Sequence, residues 1–579
     1  LVAMDSVKEY LPDGVRYTLY ADDLCIFTSG STTNTIVRRL QIALKGIENW
    51  TKTNGFKFST NKTVAVHFCK QRKARCQFHT PLTLHGRVLD LRKEVRFLGV
   101  IMDSRLSYLP HTKDLKARCY KSMNVLKRVA HTTWGADRKT LIQLYNAFIQ
   151  SKLDYACQAY GLAKPNILQN LDPVLNQGLR ISIGAFKSSR IQSLYVEAST
   201  SSLPQRRKYL TVKYYLKCKQ NQDCPMLKEI MDPQANLFGD RLCLESFPIV
   251  ADRLESDFIT DGALVMSLPS PRALPWDIPD RRICGELYKY RKAANPPSSL
   301  KALFLEHKST HGNAVEIYTD GSKTEDSASY AVISDNYTYS RKLSPLASIF
   351  TAELTAIEVA IIFIINHKRN NFVIYTDSRS ALEALEKKSS THPITSKIMK
   401  WLIELSARKK VVSFCWTPSH VGVAGNESAD KAAKEARIYD NELHLPFSDY
   451  MPTVKESILK KWQLDWNQNT SDKLKKVKPF VRPWKSAFFD LRRVETALAR
   501  LRIGHTRFSH GYLMEGGPRP FCSDCIVHLT VEHVLVECPS FREARNANFP
   551  SPRGPLTISS MLSEGPGFSA KAVMGFLLD

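Results

Sequence analysis

Five residues between positions 320 and 430 have the types and spacing to do chemistry: Asp320 in YTDGSK, Glu353 in TAEL, Asp377 in YTDS, and His420 and Asp430 in SHVGVAGNESAD. Four carboxylates gathered at one point repel one another unless divalent cations neutralise them. Hard oxygen ligands suit Mg²⁺ or Mn²⁺, held about 3.5–4 Å apart in two-metal sites that hydrolyse phosphodiesters. A lone Asp at a strand end is usually a turn or capping residue. That reading does not explain why the same Tyr-Thr-Asp triplet recurs at Tyr318–Asp320 and Tyr375–Asp377, or why a Gly-rich loop presents a His ahead of the fourth acid. With Gly422 and Gly425 nearby, His420 is expected to handle a proton or to assist product release.

The elements that must position these groups follow from hydrophobic periodicity. Strands are predicted over 315–322, 328–335 and 337–343, then a long helix over 349–368 and a strand over 371–377. Helices over 379–387 and 394–409, a strand over 411–417 and a helix over 426–437 complete the pattern. A meander followed by βα alternation implies a mixed sheet with helices on its faces. Asp320 is expected at the end of the first strand, with Gly321 turning the chain, and Asp377 at the end of the fourth. If those strands are adjacent and parallel, both carboxylates emerge at one edge. Glu353 falls in the first turn of the long helix, and Asp430 falls early in the last helix, with Asn426 as its cap.

Outside this region, residues 15–29 (VRYTLYADDLCIFTS) predict a hairpin with Asp22 and Asp23 at its tip, where two carboxylates can face a metal. A helix follows, with Ile36, Leu40, Leu44, Ile47 and Trp50 on one face, and then short strands near 55–59, 64–68 and 95–100. Residues 111–207 read as basic helices, with Leu115, Cys119, Met123 and Leu126 on one stripe and a second stripe within 141–153. Residues 211–308 are Pro-rich without a sustained period and read as a connector holding no active site; 441–515 return to basic helices. Near the end, Cys522, Cys525, His533 and Cys538 form C-x₂-C-x₇-H-x₄-C, a spacing compatible with one tetrahedral Zn²⁺, with His528 as an alternative third ligand.

The chain carries 82 Lys and Arg against 56 Asp and Glu, a formal net charge of +26, which points to a polyanionic partner and so to nucleic acid. Residues 309–440 hold about 16 bases and about 15 acids, so the excess lies in the flanks, which are expected to do most of the gripping. The 13 Cys are scattered rather than arranged as the framework of a small secreted domain, and no signal peptide is visible. The longest apolar run, Val359 to Ile365, is too short to span a bilayer. A reducing intracellular setting is expected, nuclear or cytoplasmic, with neither membrane nor small-molecule substrate as partner. Oligomeric state is left open.

YTDGSK, TAEL, YTDS and TPSHVGVAGNESAD, in this order over about 125 residues, resemble the motifs of type I ribonuclease H domains. The resemblance implies a hydrolase using two Mg²⁺ to cut the RNA strand of an RNA–DNA hybrid, leaving 5′-phosphate and 3′-hydroxyl ends. Asp320 and Asp377 would then hold both ions, Glu353 and Asp430 one each, and His420 would help the product leave. The helix over 394–409 carries few clustered bases, so the basic handle of some family members is missing and hybrid affinity falls to the flanks. Tyr20-Ala21-Asp22-Asp23, Asn61-Lys62-Thr63 and Phe97-Leu98-Gly99-Val100 resemble the late palm motifs of reverse transcriptases, and the helices after 111 resemble a thumb. Polymerisation needs a third carboxylate from an earlier strand. Because the chain opens on Leu1 in mid-pattern, it reads as a fragment of a longer polyprotein whose Asp22 and Asp23 are intact but stranded. The cysteine motif, with RLRIGHTRFSHGYL (500–513) before it, resembles the end of jockey- and I-like non-LTR retrotransposon proteins, where such a cluster is taken to bind nucleic acid.

The fold expected is therefore multidomain α/β, with a ribonuclease H-like mixed five-stranded sheet and flanking helices. The order is a partial palm (1–110), a helical thumb (111–210), a connector (211–308), the ribonuclease H domain (309–440), a basic helical tail (441–515), a zinc motif (516–545) and a C-terminal tail (546–579). The leading expectation is a hybrid-specific endoribonuclease without polymerase activity. The alternatives are a nucleic-acid-binding remnant with no turnover, or a polymerase completed by another chain.

Overall fold

A computed structural model describes the chain apart from residues 1, 70–79, 228–246, 260–261, 271–275, 280–281, 291–293, 388–389, 441–443, 486, 550–555, 565–567 and 579. The chain divides into two compact units, one formed mainly by Leu1–Arg207 and Asp465–Asp579, the other by Lys208–Ala235 and Pro248–Leu464.

The second unit is built on a mixed sheet of six strands: β1 (Arg282–Cys284), β2 (Val315–Lys323), β3 (Ala328–Ser334), β4 (Tyr337–Leu343), β5 (Asn371–Thr376) and β6 (Val411–Trp416). Their order is β4-β3-β2-β5-β6-β1. The meander β2-β3-β4 is antiparallel, while β2 and β5, β5 and β6, and β6 and β1 pair in parallel. The helices are α1 (Pro297–Ser309), α2 (Ile349–Asn366), α3 (Arg379–Glu386), α4 (Pro393–Ala407) and α5 (Ala424–Lys434).

The sequence implied five strands, and the sixth comes from the stretch read as a connector. β1 is three residues long and pairs only Arg282, Ile283 and Cys284, with Ser413, Phe414 and Cys415. That is too short for an alternating pattern to show. Other parts of 211–308 lie outside the described residues.

Helix α2 is long and apolar enough to cross a membrane, but its buried residues, among them Ala352, Leu354, Ala356, Ile357, Ala360, Ile361 and Ile364, belong to the sheet's core. Ser348 fixes its start: its hydroxyl accepts from the Thr351 N–H at 3.1 Å and donates to Asp449 at 2.9 Å. At the far edge, the Lys342 N–H of β4 bonds Ile438 O at 2.8 Å, and the Asp440 N–H returns to Lys342 O at 2.7 Å.

In the first unit, Arg16–Tyr20 and Asp23–Phe27 form the expected hairpin, with Tyr20 opposite Asp23 and Ala21 in the left-handed region. No strand forms at 55–59; Gly55, at φ 69°, closes the helix Thr33–Asn54 instead. The strand expected over 95–100 is a second hairpin, Glu94–Phe97 against Val100–Asp103, because Leu98 and Gly99 both take positive φ, the signature of a tight two-residue turn. The two helical stripes are core: Leu115, Cys119, Met123 and Leu126, and Leu141, Tyr145, Ile149 and Leu153, are all buried.

Candidate active site

Why the Tyr-Thr-Asp triplet occurs twice is answered by register. β2 and β5 are parallel neighbours with Tyr318 opposite Tyr375 and Thr319 opposite Thr376, so Asp320 and Asp377 follow side by side. The tyrosine rings stack with centroids 5.0 Å apart, and Thr319 Oγ1 donates to Tyr375 O at 3.4 Å, which locks the register. Asp320 is not at the strand end expected for it. β2 continues to Lys323, and Asp320 faces Ala331 of β3.

Gly321 therefore does not turn the chain. A Cβ there would stand 2.9 Å from the Glu353 backbone N, so its bareness lets α2 approach β2. Its N–H also bonds to the carboxyls of Asp320 and Glu353. Glu353 lies in the second turn of α2 rather than the first, since the helix starts at Ile349. One carboxylate oxygen from each of Asp320, Glu353 and Asp377 lies within 4.8 Å of the others.

Asp430 joins this cluster through Asp320, with which it shares a hydrogen bond. The Lys434 ammonium, one turn on in α5, holds it at 2.8 Å. Asn426 does not cap the helix: α5 begins at Ala424, so Asn426 sits in its first turn, buried, with Oδ1 lacking a partner. The close packing of α5 on β2 depends on Gly425, where a Cβ would meet the Tyr318 ring at 2.3 Å. His420 stands on the rim in a left-handed conformation, its side chain 67% exposed and its Nδ1 3.9 Å from Asp430. The chain carbonyl of Asp377 accepts from Trp416 Nε1 at 3.1 Å, which ties the strand end to β6.

The electrostatics are those of crowded acids. Burial, then Asp377 and Asp430, push the Asp320 carboxyl up to about 8. Burial, then Asp320 and Asp377, hold Glu353 well above the usual carboxylate range, and its Oε2 is buried without a hydrogen-bond partner. A partnerless buried carboxylate oxygen facing other acids fits a divalent cation, whose charge removes the repulsion and whose bonds replace the missing partner.

Two other sequence-predicted groups stand in the first unit. Asp22 and Asp23 are exposed at their hairpin tip, and among the described residues no third acid, His or Cys joins them in a metal-sized cluster. Cys522, Cys525, His533 and Cys538 do converge, their ligand atoms within 4.8 Å of one another. The Cys522–Cys525 turn ends in the left-handed Ile526, and His533 to Glu537 form a single helical turn that delivers Cys538. His533, with the backbone N–H groups of Cys525 and Asp524, lowers the Cys522 thiol to about 6. His528 is not in this set; its ring lies against Phe521 at 4.0 Å.

Residues 312–438 match the family model for RNase H, and residues 2–102 match that for reverse transcriptase (RNA-dependent DNA polymerase). The chain thus carries a ribonuclease H domain and a reverse transcriptase domain, as the motifs implied. Its homologues are polyproteins of non-LTR retrotransposons. The probable RNA-directed DNA polymerase from transposon BS of Drosophila melanogaster is 28% identical over 167 residues, 28% of this chain and 18% of that protein. The RNA-directed DNA polymerase from mobile element jockey of the same fly is 22% identical over 214 residues, 36% of this chain and 22% of that protein. A Pol polyprotein from the type-1 retrotransposable element R1 of Bradysia coprophila is 25% identical over 201 residues, 34% of this chain and 18% of that protein. The matched stretches span about a fifth of the length of these relatives.

Proposed function

We propose that the chain is an endoribonuclease that cuts the RNA strand of RNA–DNA hybrids. The observation that carries this reading is the convergence of Asp320, Glu353 and Asp377, with Asp430 bonded to Asp320. These four carboxylates would hold two Mg²⁺ or Mn²⁺ ions, which when bound acidify the attacking water and offset charge on the phosphoryl oxygens. The chain's own residues supply the rest. The stacked tyrosines and Gly321 fix Asp320, Asp377 and Glu353 before substrate arrives, so little reorganisation is needed during reaction. His420, exposed and near Asp430, is free to swing with a proton as the product leaves. Products would carry 5′-phosphate and 3′-hydroxyl ends.

Cutting is assigned to residues 309–440 and gripping to the basic flanks, where the Cys522, Cys525, His533 and Cys538 cluster would hold Zn²⁺ and contact nucleic acid. Asp22 and Asp23 have no part in this reading. Two-metal phosphoryl transfer asks for a further carboxylate, and primer extension by the full chain is expected to be blank.

A labelled hybrid in Mg²⁺ tests the proposal. Wild type should cut the hybrid and spare single-stranded RNA, while Asp377→Asn should bind the hybrid equally and lose at least about 100-fold in rate. Equal binding with no cutting by either protein refutes the enzyme, and equal cutting of single-stranded RNA refutes the substrate.

A further inference from the structure

A second set of metal-ligand side chains meets where β1 and α1 join the sheet. Cys284 ends β1, Cys415 lies in β6, His307 is in the last turn of α1, and His311 lies two residues past its end. Their ligand atoms all lie within 4.8 Å of one another. We propose that these four residues bind one Zn²⁺ in a closed tetrahedral site that fastens β1 and α1 to the ribonuclease H sheet.

The placement is specified by the fold. Cys284 and Cys415 are register partners on adjacent parallel strands, so their side chains share a face, and the two thiols hydrogen-bond each other. Both are free thiols. His311 Nε2 stands 3.6 Å from Cys415 Sγ, and the two imidazole rings lie 5.2 Å apart. His307 Nδ1 is buried and has no hydrogen-bond partner. A buried imidazole nitrogen left bare is destabilising, and a metal bond would supply what is missing.

Charge and chemistry select the ion. Two thiolates balance Zn²⁺, leaving a neutral centre that can sit on the apolar floor of Leu287, Leu300, Phe304 and Tyr375. None of the four clustered side chains offers the oxygen that Mg²⁺ prefers, whereas two sulfurs and two imidazoles are a standard zinc set. The Glu286 carboxylate is close enough for its charge to act on Cys284, Cys415 and His311. With four protein ligands no position is open for water or substrate, so the role is structural. Loading releases one proton from each thiol.

The site gives a three-residue strand a reason to stay. The segment it fastens also contacts the catalytic side of the sheet: Tyr288 packs edge-on against Trp416, whose Nε1 holds the Asp377 carbonyl.

The test is metal content of the full chain by mass spectrometry, after gel filtration in excess Mg²⁺ to keep zinc off the carboxylates. A Cys522→Ser/Cys525→Ser chain, with the tail cluster silenced, is expected to keep about one zinc. Adding Cys284→Ser and Cys415→Ser should remove it. A zinc-free Cys522→Ser/Cys525→Ser chain overturns the proposal. Because the added substitutions could unfold β1, Co²⁺ is also titrated into the Cys522→Ser/Cys525→Ser chain after its zinc has been stripped with a chelator and the chelator removed. A thiolate-to-cobalt charge-transfer band supports the site, and its absence overturns it. A Cys284–Cys415 disulfide found by peptide mapping of protein alkylated without reductant overturns it equally.

Discussion

Replacing Asp320 by Asn isolates the electrostatic cost of assembling the acids. The Asp320 carboxyl is raised from 3.8 to about 8, by burial first and by Asp377 and Asp430 next. A shift of about four units, at about 1.36 kcal/mol each, is worth about 6 kcal/mol when fully expressed. The acids titrate as a group and the site relaxes when one ionises, so about 2–4 kcal/mol is expected at neutral pH. The sign follows from proton linkage. A carboxyl whose folded pKa lies above its unfolded value contributes stability at low pH, and loses it as pH rises from about 4 to about 8. Asn cannot ionise and has no such slope. Without Mg²⁺, wild type and Asp320→Asn should therefore melt together near about pH 4 and separate as pH rises, the variant ending about 5–10 °C higher. Calorimetry in Mg²⁺-free buffer measures this, with chelators omitted so that thiol-held metal stays in place. Adding Mg²⁺ should raise the wild-type transition and leave the variant nearly unmoved. A variant that melts at or below wild type throughout the range refutes the reasoning.

Other outcomes follow from the same geometry. Gly425→Ala drives a methyl into the Tyr318 ring, which its stack on Tyr375 prevents from yielding; urea melts should show a loss of about 1–3 kcal/mol, and cleavage should fall as Asp430 is displaced. His420→Ala should lower multiple-turnover cleavage about 10- to 100-fold while a filter-binding assay shows unchanged hybrid affinity. Cys522→Ser should remove about one zinc and weaken nucleic-acid binding while leaving cleavage chemistry intact, with metal content and gel shift as readouts. Glu197→Gln breaks a fully buried ion pair with Arg138, at 2.8 Å, and should cost about 3–5 kcal/mol in chemical denaturation.

The ribonuclease H part of the second unit was legible because its strands and helices are long enough for their periods to show and because its motifs repeat. The paired triplets announced two strand positions, and parallel register turned them into neighbours. Close approach was not legible: Gly321 and Gly425 look like turn residues in a sequence, and only packing reveals that α2 and α5 need the space. Lys434 carried a signal that the reading passed over: it follows Asp430 by four residues on the expected helix, a spacing that brings the two together. The Cys284, His307, His311 and Cys415 set was hidden for a different reason. Its one local signal is a His-x₃-His pair at the end of α1, and the two cysteines come from strands 131 positions apart in the chain, joined only by the sheet.

That short first strand has a bearing on solubility. The strand it covers, β6, reads Val-Val-Ser-Phe-Cys-Trp: six residues rich in β-branched and aromatic side chains, with no charge, no Pro and no Gly. Left open, such a segment is a template for pairing with another chain and a nucleus for fibrils. β1 lies alongside Ser413, Phe414 and Cys415 and covers that edge of β6, and the bonds from Ile438 and Asp440 engage β4 on the other side. Losing β1 would therefore change the fate of the protein more than its chemistry, converting a guarded edge into a site of self-association.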